Sequence, residues 1–80
     1  MTRDYYAEAR DIAMLLEQAG LASDAASLVD AIEGGATATE ILMALRWQLD
    51  RIEKLAAVTD AEIRRRLVDL GQAISTALGR

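Results

Sequence analysis

The chain contains no cysteine, no histidine, no proline and no phenylalanine, and its aromatics are confined to Tyr5, Tyr6 and Trp47. Without cysteine there is no disulfide, no thiol nucleophile and no thiolate metal ligand. Without histidine there is no imidazole base, and the zinc ligand sets built on Cys and His are excluded too. Without proline, and without a low-complexity run, nothing marks a linker, so residues 1–80 read as a single all-α domain. Without phenylalanine the core must come from Leu, Ile, Val and Ala. Much of the 52% hydrophobic content is alanine. A core of that kind in 80 residues is marginal, and oligomerisation or a bound partner often supplements it.

No stretch approaches the length of a membrane span. The opening Met1-Thr2-Arg3-Asp4-Tyr5-Tyr6 is not a signal peptide, so the expected location is the cytoplasm and no membrane partner is expected. The net charge is -4. An acidic surface disfavours phosphate contacts, so no nucleic-acid partner is expected either.

The charge is distributed unevenly. Residues 1–40 hold eight acids (Asp4, Glu8, Asp11, Glu17, Asp24, Asp30, Glu33, Glu40) and two bases, a local charge of -6. Residues 41–80 hold five acids and seven bases, a local charge of +2. Two readings stand: the halves attract each other in the fold, or the acidic half offers a face to a basic partner.

Four helical segments are legible. In the first, about 3–19, Tyr5, Ala9, Ile12, Leu16 and Ala19 share a face, and Gly20 is its stop. The second spans about 24–33, with Ser23 as N-cap and Leu28 and Ile32 on its apolar face, assisted by Ala25 and Val29; Gly34-Gly35 ends it. The third, about 37–57, opens on the capping box Thr37-Ala38-Thr39-Glu40. The fourth opens likewise on Thr59-Asp60-Ala61-Glu62, with Val58 and Ile63 as a hydrophobic staple. Its apolar face is Ile63, Leu67, Leu70, Ile74 and Leu78, and Gly79 stops it. Gly71 lies inside this helix at a cost of about 1 kcal/mol relative to Ala, which a close helix crossing would explain. The flanks of the two Thr-x-x-Glu-Ile starts differ, so they read as independent capping boxes rather than a repeat.

A link of only a residue or two near Val58-Thr59 sets the last two helices antiparallel, each about 30 Å long. The second helix, about half that length, cannot cover them fully. The expected fold is a small, irregular four-helix bundle with a long antiparallel hairpin formed by the last two helices.

The third helix carries two apolar stripes where a surface helix needs one. Leu42, Leu45, Leu49, Ile52 and Ala56 form the first. Met43, Ala44 and Trp47 point the other way, with Arg51 among them. The second stripe needs a partner of its own. Trp is over-represented at interface hot spots and Met adapts to irregular surfaces. Arg51 can stack on the indole or bind a carboxylate of the partner. The opposing reading packs Trp47 inside the bundle, against the first or fourth helix. Tyr5 and Tyr6 point in different directions, one toward the core and one outward.

Other candidates are weaker. Asp4, Glu8 and Asp11 lie on one side of the first helix. Three carboxylates can hold a metal or act as acid and base, but that needs a pocket and a shifted pKa that nothing marks. They read instead as a solvated acidic face available to a basic partner. The run Arg64-Arg65-Arg66 splays over about 200° of helix and forms no single patch. The stretch from Ser23 to Leu49 mimics a helix-turn-helix, but its would-be reading helix is apolar on two sides and starts with few base-reading side chains.

Glu40-Ile41-Leu42-Met43-Ala44-Leu45 resembles a piece of the second helix of acyl carrier proteins, and length, acidity and helical content match as well. In that family an Asp-Ser-Leu motif precedes this helix, and its Ser carries phosphopantetheine. Here the corresponding stretch is Gly34-Gly35-Ala36, and Ser27, preceded by Ala26, lies too far upstream. No prosthetic group or other cofactor is expected.

The expected function is a non-catalytic module that binds and neutralises or regulates another protein, with the bacterial immunity protein or antitoxin as its most specific version. The partner-binding residues would be Met43, Trp47 and Arg51 together with Asp4, Glu8 and Asp11. The alternative is a dimeric structural or regulatory protein in which the Met43/Trp47 stripe is the seam between two copies.

Overall fold

Helix α1 (Tyr5–Gln18) begins where the Asp4 carboxylate accepts the Ala7 backbone N–H at 3.0 Å, satisfying one of the orphan donors of the first turn. It ends at Gly20, whose φ of +85° is open to glycine at little steric cost. There the Leu21 N–H reaches the Leu16 carbonyl and the Gly20 N–H reaches the Glu17 carbonyl, the two bonds of a Schellman turn. The computed structural model that gives this geometry describes residues 3–79. Three further helices follow: α2 (Ala22–Gly34), α3 (Ala38–Glu53) and α4 (Ala61–Ala77).

The architecture is all-helical, as the periodicity predicts. Helix α1 packs on α2, α2 on α3, α3 on α4, and α4 back on α1, a closed cycle of neighbours. The contacts Glu53–Arg64, Leu49–Gly71 and Arg46–Ser75 run in opposite directions along α3 and α4, consistent with an antiparallel pair. The Cα radius of gyration is 11.6 Å, close to the roughly 12 Å of a well-packed chain this long.

One apolar cluster fills the centre. Ala9, Ile12, Ala13 and Leu16 enter from α1, and Ala25 and Leu28 from α2. Leu45, Leu49 and Ile52 enter from α3, and Ile63, Leu67, Leu70 and Ile74 from α4, with Val58 closing the link between these two helices. Among the described residues no charged or polar residue is buried. The cluster therefore rests on burial of apolar surface, the dominant favourable term in folding.

Several boundaries differ from expectation. Ser23 is not the N-cap of α2. The Schellman turn runs straight into that helix, so Leu21 takes the cap position without a side-chain bond, and the Ala25 N–H reaches its carbonyl. Helix α2 is 13 residues long against 16 for α3 and 17 for α4, well over half their length. The α3 helix stops at Glu53, not Ala57, which leaves Ala56 exposed outside the core stripe. Leu42 is half-buried. The link between α3 and α4 is residues 54–60, longer than expected.

The cap of α4 is Asp60 rather than Thr59, and its carboxylate accepts the N–H groups of Glu62 and Ile63 at 2.8 and 3.2 Å. Val58 and Ile63 are nonetheless both buried. At the start of α3 the Glu40 N–H donates to Thr37 Oγ1 as expected, but the Glu40 carboxylate reaches Ala36 N–H instead of the cap residue's own. Ala19, counted on the α1 face, is the exposed C-cap, and Tyr5 and Tyr6 are both half-buried against the core.

Candidate protein-binding face

On α3 the two stripes separate as periodicity demands. Leu45, Leu49 and Ile52 are buried, while Trp47 is 63% exposed and Met43 46% exposed, with Ala44 exposed beside them. An indole and a thioether left partly in water forgo part of a burial worth about 1.5–3 kcal/mol per side chain when complete. Trp47 lies outside the bundle, contrary to the reading that packed it within.

Met43 and Trp47 line a recess of about 180 Å³ together with Arg46, Asp50 and the half-buried Leu78 of α4. Arg46 and Asp50 also line a larger open groove of about 500 Å³ between α3 and α4, whose apolar lining includes Leu49, Leu67, Val68 and Gly71. A Cβ built on Gly71 would meet only Leu49 Cβ, at 3.9 Å, so this glycine leaves the groove open without being demanded by the crossing.

Arg51 belongs to the fold rather than to the indole. Its guanidinium pairs with Asp24 of α2 at 3.2 Å and donates twice to Gln48 Oε1, at 2.9 and 3.0 Å. The side chains flanking Trp47 at the recess are instead Arg46 and Asp50, at positions i−1 and i+3. Sequence alone does not single them out, because charged residues beside an aromatic read as ordinary surface. The available signal is that they share a helix face with Met43 and Trp47 at spacings of three and four. Arg46 Nε donates to Ser75 Oγ, and Asp50 pairs with Lys54 at 3.1 Å.

The three carboxylates of α1 are spread over different tasks. Asp4 is the helix cap. Glu8 pairs with Arg3 at 2.6 Å, and Arg3 bridges on to Asp69 of α4 at 2.7 Å. The hydrogen bonds to Glu8 and Asp69 hold the Arg3 guanidinium above its ordinary pKa. Asp11 is exposed and enters no ion pair among the described residues, as is also true of Glu17 and Asp30. Among the described residues, the one bond between an acid of the first half and a base of the second is Asp24–Arg51. Direct pairing between the halves therefore leaves much of the acidic half unmatched. Among the described residues no group of three His, Cys, Asp or Glu side chains is placed to hold a metal ion.

The arginine run divides three ways. Arg64 turns back to donate to the backbone carbonyls of Glu53, Leu55 and Val58 and pairs with the Glu53 side chain. Arg65 and Arg66 both reach Glu62. The hydrogen bond from Arg65, reinforced by the charges of both arginines, holds the Glu62 carboxyl below its ordinary pKa.

Comparison with family models, with curated proteins and with solved structures finds no match to this chain. Among the described residues no helix is long and apolar enough to cross a membrane.

Proposed function

We propose that the protein is a non-catalytic binding module that docks another protein on the Met43–Trp47 face of α3 and neutralises or regulates it. The observation that carries this reading is the exposure of Trp47, 63%, on a helix whose opposite face already supplies the core. Trp, with its large rigid area and single N–H, is a side chain from which interface hot spots are built. Arg46 beside it offers a fork-shaped donor, and Asp50 an acceptor, for polar groups at the rim.

The immunity-protein or antitoxin version adds one argument. The first half carries a local charge of -6, and Asp11, Glu17 and Asp30 have no ion-pair partner among the described residues. Such a field speeds the approach of a basic protein and sets the acidic side chains over a basic active site. The absence of cysteine and histidine supports a role without catalysis, and the cytoplasm is the proposed location.

The test is affinity capture from native lysate with the wild-type chain and with Trp47→Ala, each at low and high salt, read by mass spectrometry. The expected result is one foreign protein at stoichiometric level, lost with Trp47→Ala and reduced by salt. Capture indifferent to Trp47, or no stoichiometric foreign protein, overturns the proposal.

A further inference from the structure

The outer turn of α3 carries a charge pattern that is complementary to itself. Arg46 and Asp50 lie one turn apart on the same face, flanked by the exposed Met43 and Trp47. When two helices run antiparallel about a two-fold axis, the residue before the axis on one meets the residue after it on the other. An axis midway between Arg46 and Asp50 therefore sets Arg46 of each copy against Asp50 of the other and satisfies both pairs at once. The same operation brings the two Trp47 side chains to nearly the same level, with a Met43 outside each.

The geometry points to a second copy of this chain as an occupant of this face, held by reciprocal Arg46–Asp50 pairs around apposed Trp47 side chains. Both charged groups are available for this. Only the Nε of Arg46 is engaged, by Ser75, and its terminal nitrogens make no bond among the described residues. Among the described residues Asp50 is held only by Lys54, in an exposed pair of the kind that contributes little. A foreign protein would need an acid and a base at the reversed spacing on an apolar helix, whereas this face already has them. The proposal uses the surface assigned to a partner above but does not require any foreign partner to exist.

The test is light-scattering mass against concentration, up to about 1 mM chain, for the wild type, Arg46→Asp, Asp50→Arg, their equimolar mixture and the double variant. The wild type is expected at twice 8.7 kDa. Each single reversal places like charges face to face and raises the dissociation constant about tenfold or more. The mixture and the double variant restore opposite charges at both pairs and recover the dimer. The two single variants carry net charges of -6 and -2, so overall attraction cannot explain recovery on mixing. A misfolded variant would not regain partnership either, and circular dichroism checks each one. A wild type that stays monomeric overturns the inference, as do single variants that dimerise like the wild type or a mixture that stays monomeric. A foreign protein would compete with the second copy for this face, and the lysate experiment reads its capture separately.

Discussion

Two glycines give opposite expectations for the same substitution. A Cβ on Gly35 would collide with Ile41 Cγ1 and sit 3.1 Å from the Ile41 backbone N, where the chain turns into α3. Gly35→Ala is expected to destabilise by about 1–3 kcal/mol through overpacking. Gly71 is helical and unstrained, and its missing Cβ would meet ordinary contact at 3.9 Å. Gly71→Ala is expected to stabilise by up to about 1 kcal/mol. Urea midpoints of the two variants check both, and a loss at Gly71 would mean that the crossing is tighter than the 3.9 Å contact. Glu62 adds a pH expectation. Its folded pKa is depressed, so its ion pairs contribute above the unfolded value and are lost as pH falls through the folded one. Replacing Glu62 with Gln should lower the melting temperature slightly at neutral pH, and the difference from wild type should close as pH drops below about 4.5.

At the scale of elements, the apolar stripes were legible and the boundaries were not. Leu45, Leu49 and Ile52 on α3, and Ile63, Leu67, Leu70 and Ile74 on α4, follow from period alone. The end of α3 does not. Lys54, Leu55, Ala56 and Ala57 are all compatible with continued helix, but the chain leaves it after Glu53. The carbonyls of Glu53, Leu55 and Val58 turn instead to the guanidinium of Arg64, a residue six to eleven positions further on. Local propensity cannot see a contact at that range. Arg64→Met keeps the stem but removes the donors, and is expected to speed amide exchange across residues 54–60 and cost about 1–2 kcal/mol. Arg64→Lys should recover little, because a point ammonium cannot span three carbonyls. The Thr59 and Asp60 caps compete at adjacent positions, and sequence does not rank them. Asp60→Ala should cost about 1 kcal/mol and Thr59→Ala much less, measured by thermal denaturation side by side.

For the whole molecule, the candidate site was half legible. Subtracting the core stripe from α3 leaves Met43 and Trp47, and both are exposed. Spacing alone groups Arg51 with them, yet Asp24 of α2 draws it away, a contact across 27 positions that no local pattern carries. The uneven charge likewise left open whether the halves pair. Eight acids and two bases say nothing about which side chains meet, and the fold joins an acid of the first half to a base of the second at Asp24–Arg51. At concentrations where the chain is monomeric, Trp47→Ala should leave the melting temperature nearly unchanged, since the side chain makes no part of the buried cluster. A large loss would move Trp47 from the recognition surface to the fold.

Trp47 is the chain's one tryptophan, and it stands in water rather than in the core. In the dilute monomer its emission should therefore be red-shifted and readily quenched by iodide. Unfolding that monomer should change it little, so fluorescence would be a poor reporter of its denaturation. Whatever covers α3 should shift the emission to the blue and shield it from quencher. The protein thus carries a built-in optical probe that is nearly silent to folding and responds to contact.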